Sequence, residues 1–137
     1  MRLHASCVAY EGQGVLITGG SGSGKSSLAL SLMALGAVLV SDDQTELFSG
    51  EGQLFARAAP NLRGKIEARG IGVLAAQAQA QTRLCVVVDM DRAERERIPP
   101  DRHIRLVEVK LPLLHKVESA AFPAAILQYL KGGKVDC

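Results

Sequence analysis

The 137-residue sequence contains no tryptophan and only five other aromatic residues, two Tyr and three Phe. It therefore lacks the aromatic platforms on which single-stranded nucleic acids stack, and no Lys/Arg stripe with interleaved aromatics compensates for them. Charge of one sign is scarce as well. Sixteen Lys and Arg against 14 Asp and Glu leave a formal net charge of +2, too little for a nucleic-acid-binding surface. Long apolar runs are missing: Leu84–Val88 and Val38–Val40 fall far short of the ~20 residues a membrane-spanning helix needs. The N-terminus shows no basic segment followed by an apolar stretch, so no leader is expected and the chain reads as cytoplasmic. The three cysteines, Cys7, Cys85 and Cys137, have neither an even count nor metal-ligand spacing. What remains is 47% hydrophobic residues with 22% charge, enough for one globular domain over residues 1–137.

The most informative segment is Gly19-Gly20-Ser21-Gly22-Ser23-Gly24-Lys25-Ser26, which follows the apolar run Val15–Thr18 and precedes a helical pattern from Ser26 to Leu35. It has the form G-x-x-x-x-G-K-[ST]. Glycines let successive backbone N–H groups turn inward on a phosphate, Lys25 reaches the β- and γ-phosphates, and the Ser26 hydroxyl holds Mg²⁺. The helix start, with Ser27 next in line, adds a positive dipole end. A Gly/Ser linker would explain neither the flanking strand nor the helix. The segment reads as a nucleoside triphosphate site for ATP with Mg²⁺.

The surrounding pattern is that of an α/β domain. Leu3–Tyr10 and Val15–Thr18, joined by Glu11–Gly14, predict a hairpin that feeds the loop. Leu28, Leu32 and Leu35 lie at helical spacing, and Gly36 suits a left-handed helix stop. Ala37–Val40 predicts a buried strand ending at Ser41, Asp42 and Asp43, at the carboxyl edge where open α/β sheets bind ligands. Glu46–Phe48 and Gln53–Ala58 predict a second hairpin. Lys65–Leu74 fits neither helix nor strand cleanly, and Ala75–Thr82 is open between helix and loop. Leu84–Asp89 predicts a buried strand, Arg92–Arg97 a charged helix or turn, Ile104–Val109 a strand, and Ser119–Leu130 a last helix with Ser119 as N-cap.

Asp43, the outer of the two adjacent aspartates, is the candidate to take a proton from an attacking hydroxyl. Both aspartates equally suit a structural role or a water-mediated hold on Mg²⁺. Asp89, which ends an apolar strand, is a rival for that second role. His4 falls near the phosphate end if its strand pairs beside Val15–Thr18. Glu67 and Arg69 point the same way on extended chain. They suit either a metal-facing carboxylate with a phosphate-facing cation or an exposed ion pair.

Taken together, Leu3–Ser6, Gly19–Ser26, Val40–Asp43 and Ile66–Val73 resemble bacterial HPr kinase/phosphorylase, in particular the short α-proteobacterial form that consists of the catalytic domain alone. The Glu67-Ala68-Arg69-Gly70-Ile71-Gly72 segment is the most specific part of the likeness. The resemblance implies the HPr kinase/PEP carboxykinase-like fold, a mixed sheet with flanking helices. It also implies an ATP-dependent serine kinase acting on HPr, the small phosphocarrier of the sugar-uptake phosphotransferase system, with a phosphate-dependent phosphorylase as the reverse reaction and a homo-oligomer, hexameric in the family. It assigns catalytic roles to His4, Lys25, Asp43 and Arg97, and magnesium to Ser26 and Glu67. It makes Asp89 structural. The family's arginine-bearing loop falls at Leu114–Pro123, which here has no arginine, so the kinase direction is the one expected. Two other readings stay open on the residues: a nucleotide-sensing regulatory module, or another small-molecule kinase of the phosphate-loop group.

Overall fold

The computed structural model describes residues 1–135, so Cys137 lies outside the described residues. After a short strand β1 (Arg2–Leu3), strands β2 (Ala5–Tyr10) and β3 (Gln13–Thr18) form the expected hairpin, with Ala5 opposite Thr18. Its turn places Glu11 and Gly12 at φ 50° and 79°, the left-handed geometry that two-residue hairpins favour. The phosphate loop follows β3 and leads into α1 (Lys25–Ala34). Leu28, Ala29 and Leu32 bury one face of that helix. It ends as the sequence indicates: Gly36, at φ 112°, donates its N–H to Met33 O, and Ala37 N–H reaches Leu32 O at 3.0 Å. This bond pair closes the helix in a Schellman motif.

Strand β4 (Val38–Ser41) then runs beside β2, and β5 (Thr45–Gly50) and β6 (Gln53–Ala58) form the second hairpin. Residues 65–75, which the pattern left undecided, are a separate two-stranded hairpin of β7 (Lys65–Ala68) and β8 (Gly72–Ala75). Gly70 and Gly72, at φ 86° and 140°, turn it. The stretch after it is neither helix nor free loop. Ala78 bridges Leu39, and the next strand begins at Gln81.

That strand, β9 (Gln81–Ala93), is 13 residues long and organises the fold. It pairs with β6 antiparallel through residues 81–83 and with β3 in parallel through Leu84–Asp89. It pairs in parallel with β11 (Val109–Lys116), itself the partner of β10 (Arg102–Leu106). The nine-stranded sheet is therefore mixed, with the order β1-β5-β6-β9-β3-β2-β4 and the β10–β11 pair beside β9. Gly14 opposes Leu84 and Val15 opposes Val86, so Cys85 is the extra residue of a bulge. Gly14 is required there, since a Cβ would come within 2.6 Å of Arg83 O.

Alternation along the central strands divides the core in two. Val8, Val15, Ile17, Val86 and Val88 face α1 and α2 (Phe122–Gly132), while Cys7, Leu16 and Val87 face Leu47, Leu54 and Ala56 of the β5–β6 hairpin. Each fully buried Leu or Ile contributes about 1.5–3 kcal/mol relative to exposure. Burial also pushes the Cys7 thiol far above its ordinary range, which suits an inert core cysteine.

Three expectations are corrected. Arg92 and Ala93 continue β9, and Glu94–Asp101 is a connection without helix. Ile104–Val109 is not one strand, because Val107 and Glu108 adopt φ 46° and 62° and reverse the chain into β11. No Asn-Gly or Asp-Gly pair marks that turn. Ser119 is not the cap of the last helix: α2 starts at Phe122 after Ala121, with Pro123 in its first turn, and the Ser119 hydroxyl accepts the Ala121 N–H one residue earlier. No helix of the described residues is long and apolar enough to cross a membrane.

Candidate active site

The phosphate loop adopts the conformation its glycines allow, with Gly19, Gly22 and Gly24 at φ 143°, 80° and 101°. Gly24 begins α1 without any side-chain cap, and the first helical turn carries no acidic residue. Its N–H groups and positive dipole end are thus left for an anion. Lys25 is buried, with its Nζ donating to Gly20 O at 3.0 Å across the loop. Beneath the loop the Ser23 hydroxyl is buried without a partner, the one such side-chain atom among the described residues. This donor set fits the phosphates of a nucleotide.

A cavity of about 200 Å³ opens beside the loop. Its walls are Ser21, Gly22, Gly24, Lys25, Ser26 and Ser27 from the loop and α1, His4 and Asp43 from the strand ends, and Glu67 and Arg69 from the β7–β8 hairpin. Pairing of β2 with both β3 and β4 brings the strand ends together. His4 Nε2 lies 2.6 Å from Asp43 Oδ1, with both side chains about half exposed at 46% and 62%. Asp43 sits at φ 71°, just past the end of β4, so its carboxylate turns to the cavity.

Asp42 points the other way and is only 6% exposed. Its Oδ1 accepts hydroxyl bonds from Ser6 and from Ser26, each at 2.7 Å, and its Oδ2 accepts the Glu67 backbone N–H at 2.9 Å. One carboxylate thereby ties β2, the start of α1 and β7 together. It fixes Ser26 and Glu67, the two residues suited to a divalent cation, at one cavity. Among the described residues no three His, Cys, Asp or Glu side chains form a metal cage. Mg²⁺ needs none, since one or two protein ligands with phosphates and water suffice. The Ser26 hydroxyl and Glu67 carboxylate fit that habit.

The remaining candidates are elsewhere. Arg97 is exposed on the 94–101 connection and does not line the cavity. Asp89 accepts the Asp91 N–H at 2.9 Å and lies 3.8 Å from the Arg92 guanidinium, shaping the end of β9 without lining the cavity. Pattern reading missed Asp91, whose carboxylate accepts the Gly20 N–H at 3.0 and 3.1 Å and clamps the base of the phosphate loop to β9. Only its position three residues beyond the strand's apolar run could have signalled it. Lys116, at the end of β11, donates from its Nζ to Ser23 O at 3.4 Å and pairs with Glu118.

A mixed sheet whose strand feeds a glycine-rich loop at an uncapped helix start defines an α/β domain of the strand–loop–helix type. The family comparison is specific: the profile of the HPr Serine kinase C-terminal domain matches residues 1–112, and the chain belongs to that family. It is 44% identical over 73 residues to an HPr kinase/phosphorylase of Clostridium beijerinckii, covering 53% of this chain and 24% of that protein. It is 53% identical over 62 residues to one of Neisseria meningitidis, covering 44% of this chain and 19% of that protein. The chain thus matches about a fifth to a quarter of the length of these relatives. The solved HPr(Ser) kinase/phosphatase of Coxiella burnetii has the same fold, with a TM-score of 0.80 at 23% identity over 96% of this chain and 94% of that one.

Proposed function

We propose that this domain transfers the γ-phosphoryl group of ATP to a serine of an HPr-like phosphocarrier protein. The observation that carries the reading is the convergence of the His4–Asp43 pair, Lys25, Ser26 and Glu67 on one cavity, in a chain of the HPr Serine kinase C-terminal domain family.

In this reading the N–H groups from Gly22 to Ser27 and the Lys25 ammonium hold the phosphates, and Arg69 adds a second cation. Ser26 and Glu67 hold Mg²⁺, which neutralises phosphate charge when bound. Asp43 accepts the proton of the attacking serine hydroxyl, and His4, at 2.6 Å, orients its carboxylate and shares the charge change. Asp42 has its three donors already and is the positioning residue for Ser26 and the Glu67 backbone. β11 ends in Lys116, and the connection that follows has no arginine to offer a second phosphate. A lysine does not supply the planar two-pronged grip of arginine, so the kinase direction dominates over phosphorolysis.

The test combines the protein, Mg²⁺, γ-labelled ATP and the HPr-like protein of the same genome, with Asp43→Ala in parallel. Label on an HPr serine that disappears in the variant is the expected result. Binding of ATP without label on HPr would replace the kinase by a nucleotide-sensing module.

A further inference from the structure

A second, larger cavity of about 460 Å³ lies on the other flank of the phosphate loop, between α1 and the connection from β11 to α2. Gly24 and Ser27 line both cavities. The two spaces therefore meet at the start of α1, where a phosphate chain whose reacting end faces Asp43 must leave the loop. The floor of the second cavity is apolar: Leu28, Met90 and Phe122 are 6%, 8% and 8% exposed. Its lining also carries Ser31, whose hydroxyl donates to Ser27 O at 3.1 Å, and Ser119, whose hydroxyl accepts the Ala121 N–H. Lys116, which lines this second cavity, donates from its Nζ to Ser23 O of the loop at 3.4 Å. An apolar floor beside the loop, with hydroxyls and a loop-bound cation in the lining, suits the base, ribose and first phosphate of a nucleotide.

We propose that this cleft holds the nucleoside half of the donor, with the base on Leu28, Met90 and Phe122 and Lys116 beside the phosphate attached to the ribose. The assignment rests on the reading of Gly19–Ser26 as a nucleoside triphosphate loop. It makes the β11–α2 connection a wall of the donor site, although the sequence pattern gives that segment no nucleotide motif. It also assigns base recognition to shape and apolar contact, since Glu118, the carboxylate on the rim, is 78% exposed and paired to Lys116 at 3.2 Å.

The test compares Mg-ATP with Mg-tripolyphosphate, which presents the phosphates without a nucleoside, by titration calorimetry on the whole chain. Wild type binds ATP at least tenfold more tightly than tripolyphosphate. Ser31→Phe and Ala120→Trp fill the cleft from opposite walls, both at exposed positions. Each weakens ATP tenfold or more, leaves tripolyphosphate within twofold, and leaves the melting temperature unchanged. Equal wild-type affinity for the two ligands, unchanged ATP affinity in both variants, or a parallel loss of both ligands would overturn the assignment. Failure of wild type to bind either ligand would instead overturn the triphosphate-loop reading on which it rests.

Discussion

Two carboxylates, Asp42 at the phosphate end and Glu94 at the β9–β10 corner, each gather several donors, and the regions they serve differ in what those bonds accomplish. Asp42 is buried and accepts from two hydroxyls and a backbone N–H on three different elements, Ser6, Ser26 and Glu67. Glu94 accepts two bonds from the Arg102 guanidinium, at 3.1 and 3.0 Å, and the backbone N–H groups of Arg95 and Glu96 beside it in sequence. The first arrangement assembles a site from distant parts of the chain. The second folds one connection back on its own neighbour. Asp42 has no cation among its partners, so its grip depends on geometry. Glu94 relies on charge: the Arg102 hydrogen bonds hold its carboxyl down at about 2. The lesson is that the Asp42 junction is intolerant of even isosteric change, whereas the corner yields to pH and salt.

The largest effect is expected at the lysine of the glycine-rich loop. Lys25→Ala removes the cation on the phosphates and lowers phosphoryl transfer by roughly 10²–10³-fold in a steady-state assay. Asp42→Ala comes next. It leaves the Ser6 and Ser26 hydroxyls and the Glu67 N–H without their acceptor, at a cost of roughly 2–4 kcal/mol by denaturant titration, with transfer activity falling in parallel. Asp91→Ala, which frees the Gly20 N–H and unclamps the loop from β9, weakens Mg-ATP several-fold by calorimetry. Asp91→Asn, still an acceptor, restores most of it. The smallest effect belongs to the corner. Glu94→Gln lowers the melting temperature modestly at pH 7 and leaves transfer untouched. The Glu94 carboxyl is lowered from 4.5 to about 2 on folding, so its contribution is complete above pH 4.5 and is lost as pH falls toward 2. The gap between variant and wild type therefore closes in that interval, as followed by thermal melts across pH.

The same division governs what could be read without coordinates. From Leu3 to Asp43 each element carries its own local signal: alternating apolar strands, a glycine-rich loop, Leu28 and Leu32 at helical spacing, and Gly36 at the stop. The cavity follows, because strand pairing alone places His4, Lys25 and Asp43 together. Beyond Asp89 the local signals fade. The β10–β11 turn uses Val107 and Glu108 at positive φ instead of glycine or asparagine, and a strand carrying Pro112 and His115 does not look like one. It forms because β9 offers it a partner. Asp91 and Lys116 belong to this half, and their contacts with Gly20 and Ser23 span 71 and 93 residues. No local pattern reports bonds of that range. The role of Asp42 was hidden for another reason, since adjacent aspartates look equivalent until the end of β4 turns one inward and the other out.

That separation is open to a direct measurement: phosphoryl transfer to HPr together with thermal stability, for Asp43→Asn and Asp42→Asn side by side. Asp43→Asn is expected to lose transfer by at least about 10²-fold while keeping its melting temperature and ATP binding. Asp42→Asn sets an amide among donors, one of them the Glu67 N–H at 2.9 Å from Oδ2, and is expected to lose stability and transfer together. Retained transfer in Asp43→Asn, with a stable but inactive Asp42→Asn, would exchange the two roles and contradict the account.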